Sequence, residues 1–261
     1  MKSLRISLIA FGALVAIAGT LLWFLPARWI LPWLEPRLHG LQLQQVSGSV
    51  WDGRADAVVA ADAQTLGQLQ WQLSRRALLG QPRMRVQFTG PQLAFSGELA
   101  RLPNGDMQAR DAHIHAALAT LGGAWNTPWG QPRGELQVAV VHVVLHGGWP
   151  MQLDAQATWR DAAVRTTQGD LALGEVRARA QAEQGVIRAQ LHDAGGGPLQ
   201  LAGALQLSPL GWRLDATLRA RQTDPALQRW LATLGTPAAD GSVHIQRHGG
   251  LAGIAPAPPI H

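Results

Sequence analysis

The chain has 261 residues, 47% of them hydrophobic and 15% charged, and no cysteine. That is enough for a large core, and it excludes thiolate metal sites, cysteine nucleophiles and iron–sulfur ligation. The net charge of +5 raises a nucleic-acid reading, but Lys2, Arg5 and Arg28 all precede the first acid, Glu35, and from Glu35 onward 19 arginines are scattered among 17 acids; no phosphate-binding patch forms, and no nucleic-acid partner is expected.

Ile6 to Leu25 is a run of 20 residues without a charge. At 1.5 Å per residue it reaches about 30 Å, the thickness of a hydrocarbon core. Residues 6–25 are therefore predicted as a transmembrane helix. Lys2 and Arg5 precede the run and only Arg28 follows it closely, an asymmetry that puts residues 1–5 in the cytoplasm and the remainder on the far side. Trp23, Trp29 and Trp33 cluster at the far end as an interfacial aromatic belt, and Pro26 and Pro32 stop the regular helix. Ala16-Ile17-Ala18 also reads as a signal-peptidase site, with cleavage after Ala18. The apolar run continues past it to Leu25, which favours an uncleaved anchor. Residues 26–40 form a Pro- and Trp-rich connector at the membrane surface.

Residues 41–252 read as an all-β, antiparallel, meander-rich domain. Alternation of apolar and polar side chains puts one set on each sheet face. It runs through Leu69, Trp71 and Leu73; Met84, Val86 and Phe88; Leu136, Val138 and Val140; Leu153, Ala155, Ala157 and Trp159; and Val176, Ala178 and Ala180. Leu199 to Leu207 and Trp212 to Ala220 repeat it, and Val243 and Ile245 end it. Gly-, Asn- and Pro-bearing turns separate the runs, at Pro103 to Asp106, Gly147-Gly148, Gln184-Gly185, Gly195 to Pro198 and Ser208 to Gly211. One short helix is predicted near 225–234. Asp224 caps it, Pro225 opens it, Leu227, Trp230, Leu231 and Leu234 form its apolar face, and Gly235 is the C′ residue. A shorter helical piece is predicted over Ser74 to Leu79. Segment 121–133 is a Gly-, Pro- and Trp-rich loop or a boundary between half-sheets, and 253–261 is a flexible tail.

Chemistry is hard to find. His113-x-His115, His142-x-x-x-His146 and His244-x-x-x-His248 place imidazoles on common strand faces, but a zinc site needs three or four converging ligands. The bland reading is a row of polar-face histidines, and no metal is expected. There is no G-x-S-x-G elbow, no phosphate-binding loop with its lysine and no dinucleotide fingerprint. No catalytic residue, no cofactor and no enzyme activity are therefore predicted. Trp71, Trp159 and Trp212 fall on the apolar phase and read as core. Trp125, Trp129 and Trp149 lie in loops. There they either anchor a partner or pin loops to the sheet.

Several segments together resemble a known family. They are Leu25-Pro26-Ala27-Arg28-Trp29, then Gly40-Leu41-Gln42-Leu43 leading into Val46-Ser47-Gly48-Ser49-Val50-Trp51-Asp52-Gly53-Arg54-Ala55. Leu69 to Leu73, Ala77-Leu78-Leu79-Gly80, Asp224 to Leu227, Leu234 to Pro237 and Asp240-Gly241-Ser242 follow. The set is similar to the protein N family of the type II secretion system. The resemblance implies a non-catalytic scaffold or assembly component in the cell inner membrane of a Gram-negative bacterium, single-pass, with its C-terminal domain in the periplasm. It also implies partners among the other inner-membrane platform proteins and the secretin. The G-x-V-W-x-G-x-A element also resembles AsmA-like periplasmic β proteins, which implies lipid handling along an apolar groove. An open apolar face would favour that reading, and a closed core with edge contacts the secretion scaffold.

Overall fold

The computed structural model describes residues 25–29, 40–60, 64–120, 130–167 and 169–250. The predicted membrane helix, Lys2, Arg5, Trp23, Trp33, Trp125, Trp129 and the tail lie outside the described residues. Among the described residues no helix is long and apolar enough to cross a membrane.

Two compact units divide at Pro91/Gln92. The first carries β1 (Gln42–Gly48), β2 (Asp52–Val59), β3 (Thr65–Leu73) and β4 (Arg83–Thr89), each antiparallel to the next. Ser74 to Gly80 forms the expected short turn of 3-10 helix. The Ser74 hydroxyl accepts from the Arg76 amide and Gly80 closes the turn in the left-handed region.

The second unit carries β5 (Leu93–Arg101), β6 (Met107–Ala117), β7 (Gln131–His146), β8 (Trp149–Thr166), β9 (Gly169–Glu183), β10 (Val186–Asp193), β11 (Leu199–Ser208) and β12 (Gly211–Ala220). Helix α1 (Pro225–Leu234) and β13 (Val243–Gly250) follow. Each strand again pairs antiparallel with its neighbour in sequence. The meander reading of the sequence holds. Residues 131–133, expected in a loop, are instead the start of β7, where Gln131, Pro132 and Arg133 pair with Arg165, Val164 and Ala163.

The period-two pattern makes the second unit two-faced. On one face the register lines up Ile114, Val138, Ala157, Ala178, Leu191, Gly203, Ala216 and Ile245 across β6 to β13. On the other it lines up His115, Gln137, Thr158, Arg177, His192, Ala202, Thr217 and His244. Asp111 and Asp161 take left-handed backbone conformations where the registers of β6 and β8 shift. Aspartate tolerates that conformation better than most residues, and such bulges bend long strands.

α1 closes part of the apolar face. The Asp224 carboxylate accepts from the Ala226 and Leu227 amides at 2.8 and 3.2 Å, and Pro225 opens the helix with its fixed φ. Leu227, Leu231 and Leu234 then pack with Val164, Leu173, Leu199, Leu218 and Val243. Each fully buried leucine contributes about 2 kcal/mol. Gly235 does not take the left-handed conformation expected of a C′ residue; its backbone is extended. A Cβ there would come within 3.0 Å of Val243 Cγ1 and 3.4 Å of the His244 carbonyl, so glycine serves a close approach instead.

Away from α1 the larger side chains of the apolar face are half-buried, at Val138, Val140, Leu153 and Leu191, while small ones between them, Ala112, Ala155, Ala182 and Ala189, are buried. Trp212, expected in the core, is 41% exposed. It lies beyond the reach of α1 and packs over the edge-strand glycine Gly249, where a Cβ would sit 2.8 Å from the indole nitrogen. Trp71 and Trp159 are half-buried on the apolar phase, with their N–H groups donated to the Val50 and Arg133 carbonyls.

Candidate interaction surfaces

The residues that carried the family resemblance build one corner of the first unit. Ser49 closes the β1–β2 turn. Its amide donates to the Asp52 carbonyl at 2.8 Å, and its hydroxyl accepts from the Asp52 amide at 3.1 Å. Gly48 sits at φ +85°, where a Cβ would also lie 3.0 Å from the Gly53 Cα. Both facts demand glycine. Gly53 has no Cβ because the Trp71 ring edge lies where one would go. Trp71 in turn donates to the Val50 carbonyl at 3.1 Å, and the Leu73 amide donates to the Trp51 carbonyl at 2.6 Å. Trp51 and Ala55 are buried beneath.

The segment just after the predicted anchor joins this corner. Val50 donates its amide to the Leu25 carbonyl at 3.0 Å, Pro26 bridges Ser49, and Ala27 is buried. Trp29, placed by the sequence reading at the membrane interface, is 62% exposed. Residues 25–29 are thus stapled to the domain and are not a free connector.

Beside the corner, the polar face of β1–β4 holds an open hollow of about 610 Å³ lined by Ser47, Asp52, Arg54, Gln70, Gln72, Arg85 and Gln87. Arg54 is tied to the Ser47 hydroxyl at 3.1 Å and to Asp56 at 3.5 Å. This hollow presents hydrogen-bonding groups of every kind: a hydroxyl at Ser47, a carboxylate at Asp52, guanidinium groups and side-chain amides.

The histidines are dispersed. His115 lies 3.2 Å from Glu135, His146 2.7 Å from Asp106, and His244 3.7 Å from Asp215. His142 stands opposite Arg110 and Asp154. Among the described residues no three His, Asp or Glu side chains gather as a metal site. Trp149 is the first residue of β8 and is half-buried. Its indole donates to the Gly185 carbonyl at 2.8 Å, tying the β9–β10 turn to β8.

The strongest polar lock is at Asp193, which sequence reading missed. Its carboxylate accepts from the Leu201 and Gly195 amides, both at 2.9 Å, and from Arg221. Burial pushes this carboxyl up, but the Leu201 amide, Arg221 and the Gly195 amide together hold it below the usual carboxylate range. The glycine run after it gave no hint that the aspartate organises the turn.

The two outermost strands differ. β1 is interrupted by Gln45 at φ +53°, which falls between the paired positions Gln44 and Val46. β13 runs in unbroken register from Val243 to Gly250 against β12. Strand edges and exposed tryptophans are surfaces for protein contact.

Comparison with known proteins bears on this arrangement. Residues 39–246 match the family described as type II secretion system (T2SS), protein N. The type II secretion system protein N of Aeromonas hydrophila is 27% identical over 257 residues, covering 93% of this chain and 97% of the relative. The protein of the same name from Pectobacterium carotovorum subsp. carotovorum is 24% identical over 252 residues, covering 95% and 99%. No solved structure matches. The match spans both β units, from before β1 into β13, and the chain therefore belongs to the type II secretion system protein N family.

Proposed function

We propose that this type II secretion component is held in the inner membrane by residues 6–25, carries its β units in the periplasm, and works without catalysis as a scaffold for the export machine. The observation that carries the reading is the staple between Leu25 and Val50. A helix ending at Leu25 would hand the chain to the first unit without slack, so that this unit would stand at the bilayer surface beside exposed Trp29. The uncharged run and the Lys2/Arg5 asymmetry support the orientation. The partners of this reading are other inner-membrane platform proteins and the secretin.

A clean gene deletion tests it, scored in one strain for exoenzyme release and outer-membrane barrier integrity. Exoenzyme trapped in the periplasm behind an intact barrier is the expected result. Normal release with a leaky barrier would overturn it. Alkaline extraction of the full chain and of a chain lacking residues 1–24 tests the anchor: only the full chain should stay with the membrane.

A second reading, acyl-chain handling, is favoured by the half-buried larger side chains on the apolar face of the second unit outside α1. Lipid co-purifying with the detergent-extracted full chain, and lost on Ala157→Trp, would support it.

A further inference from the structure

β13 is the last strand of the second unit's sheet; β12 lies on one side and, among the described residues, no strand lies on the other. The first residues of that outer side are in use. Pro237 bridges Val243, and the Ala238 amide donates to the Ser242 carbonyl at 2.8 Å. The Ser242 carbonyl therefore points outward. Backbone groups alternate sides along an antiparallel strand, so those of Gln246, His248 and Gly250 point outward too, and those of Ile245, Arg247 and Gly249 serve β12. From Gln246 on, the outward row has no backbone partner among the described residues.

Such an edge accepts an added strand. The side chains beside it say which kind. Arg247 stands on the otherwise apolar face opposite Leu214; it is exposed and one of its terminal nitrogens donates to the Leu234 carbonyl at 3.4 Å, which fixes the guanidinium beside this edge while leaving its charge uncompensated by an acid among the described residues. Arg213 stands opposite His248 on the polar face. The one acid within β12 and β13, Asp215, is already engaged by Gln246 at 3.0 Å and lies 3.7 Å from His244. A guanidinium therefore flanks each face of the open edge. A second copy of β13 paired about residue 247 would set Arg247 against its own equivalent, which like-charge repulsion disfavours. The other outermost strand, β1, is broken at Gln45 and offers no matching acid.

We propose that the outer edge of β13, residues 246–250, receives an extended segment of a partner protein that bears acidic side chains. The proposal rests on the reading of this chain as a secretion component that works through protein contacts.

The test uses the full chain in its native membrane, with a photo-crosslinking residue at position 248. The expected result is an adduct with another secretion component, mapping to a segment that contains Asp or Glu. In the second step Gln246→Pro removes an outward amide and leaves the β12 ladder intact, a change edge strands tolerate. It should abolish the adduct and exoenzyme release while the melting temperature stays within a few degrees of the parent. Ile245→Pro removes a ladder donor instead and should lower the melting temperature, which checks the assignment of sides. Arg247→Glu, which keeps every backbone group, should cut the adduct at least tenfold and covers the case in which Gln246→Pro does not fold. A persistent adduct and full release in folded Gln246→Pro would overturn the edge proposal alone, as would an adduct only between copies of this chain. Normal release on gene deletion would instead overturn the scaffold reading.

Discussion

Trp71 donates its indole N–H to the Val50 carbonyl at 3.1 Å while its ring edge fills the space a side chain at Gly53 would need. One residue of β3 thus both satisfies the β1–β2 corner and dictates glycine next to it. Gly53→Ala places a methyl 2.7 Å from both Trp71 Cε2 and the Ser49 carbonyl, and backbone cannot yield cheaply. The first unit should lose about 1–3 kcal/mol, as overpacked sites do. Hydrogen exchange of the β2 and β3 amides measures it. Trp71→Phe keeps an aromatic ring but loses both the donor and the indole edge against Gly53, and should cost about 1–3 kcal/mol.

Asp193 should make the second unit acid-sensitive. Its folded-state carboxyl titrates lower than an unfolded one. The unfolded chain therefore binds more protons in mild acid, and stability rises with pH across that range. The contribution is full above about pH 4 and is lost as pH falls through the lower folded value. In urea melts of the parent and Asp193→Asn between pH 6 and 3, the variant should be weaker at pH 6 by about 1–3 kcal/mol, with a difference that shrinks in acid. A constant difference would remove Asp193 as the source.

α1 is the lid of the closed core. Leu227→Ala should cost about 2–5 kcal/mol, since Leu227 is wholly buried and the sheet beneath it cannot collapse inward. Asp224→Ala, which strips the cap from the Ala226 and Leu227 amides, should cost about 1 kcal/mol. Calorimetry of the two variants gives both numbers.

Trp149 separates two roles that the sequence left open. Trp149→Phe deletes the bond to the Gly185 carbonyl and keeps most of the packing. Acting as a pin, it should speed amide exchange around Gln184 and Gly185 and leave exoenzyme release unchanged. Lost release with unchanged exchange would make it a contact residue.

Much of the fold was legible because the chain is two-faced: each of β3, β4, β7, β8, β9, β11, β12 and β13 contains an apolar–polar alternation visible without coordinates. β5 and β10 were not singled out, although the Gln184-Gly185 turn announced β10, and β6 was read only through His113 and His115 on one strand face, because polar residues dilute its alternation. Trp212 misled for a different reason: its phase is apolar, but phase does not tell how far a covering helix extends. The S-G-x-V-W-x-G-x-A element was legible as a signature but not as a mechanism, since the role of Gly53 depends on Trp71, 18 positions on. The β13 edge was invisible, because openness depends on what fails to pair, and a strand's sequence does not state that.

The strict order of the meander also bears on how the protein is made. Within each unit the strands bond only to their neighbours in the chain. Contacts that are local in sequence close quickly, with little loop entropy to overcome. A hairpin such as β11–β12 is complete once Ala220 has emerged, and no earlier strand must wait for a distant mate. A chain delivered in sequence order could fold at the rate it arrives, with one growing end exposed at any moment. Among the described residues β13 is the last strand to join.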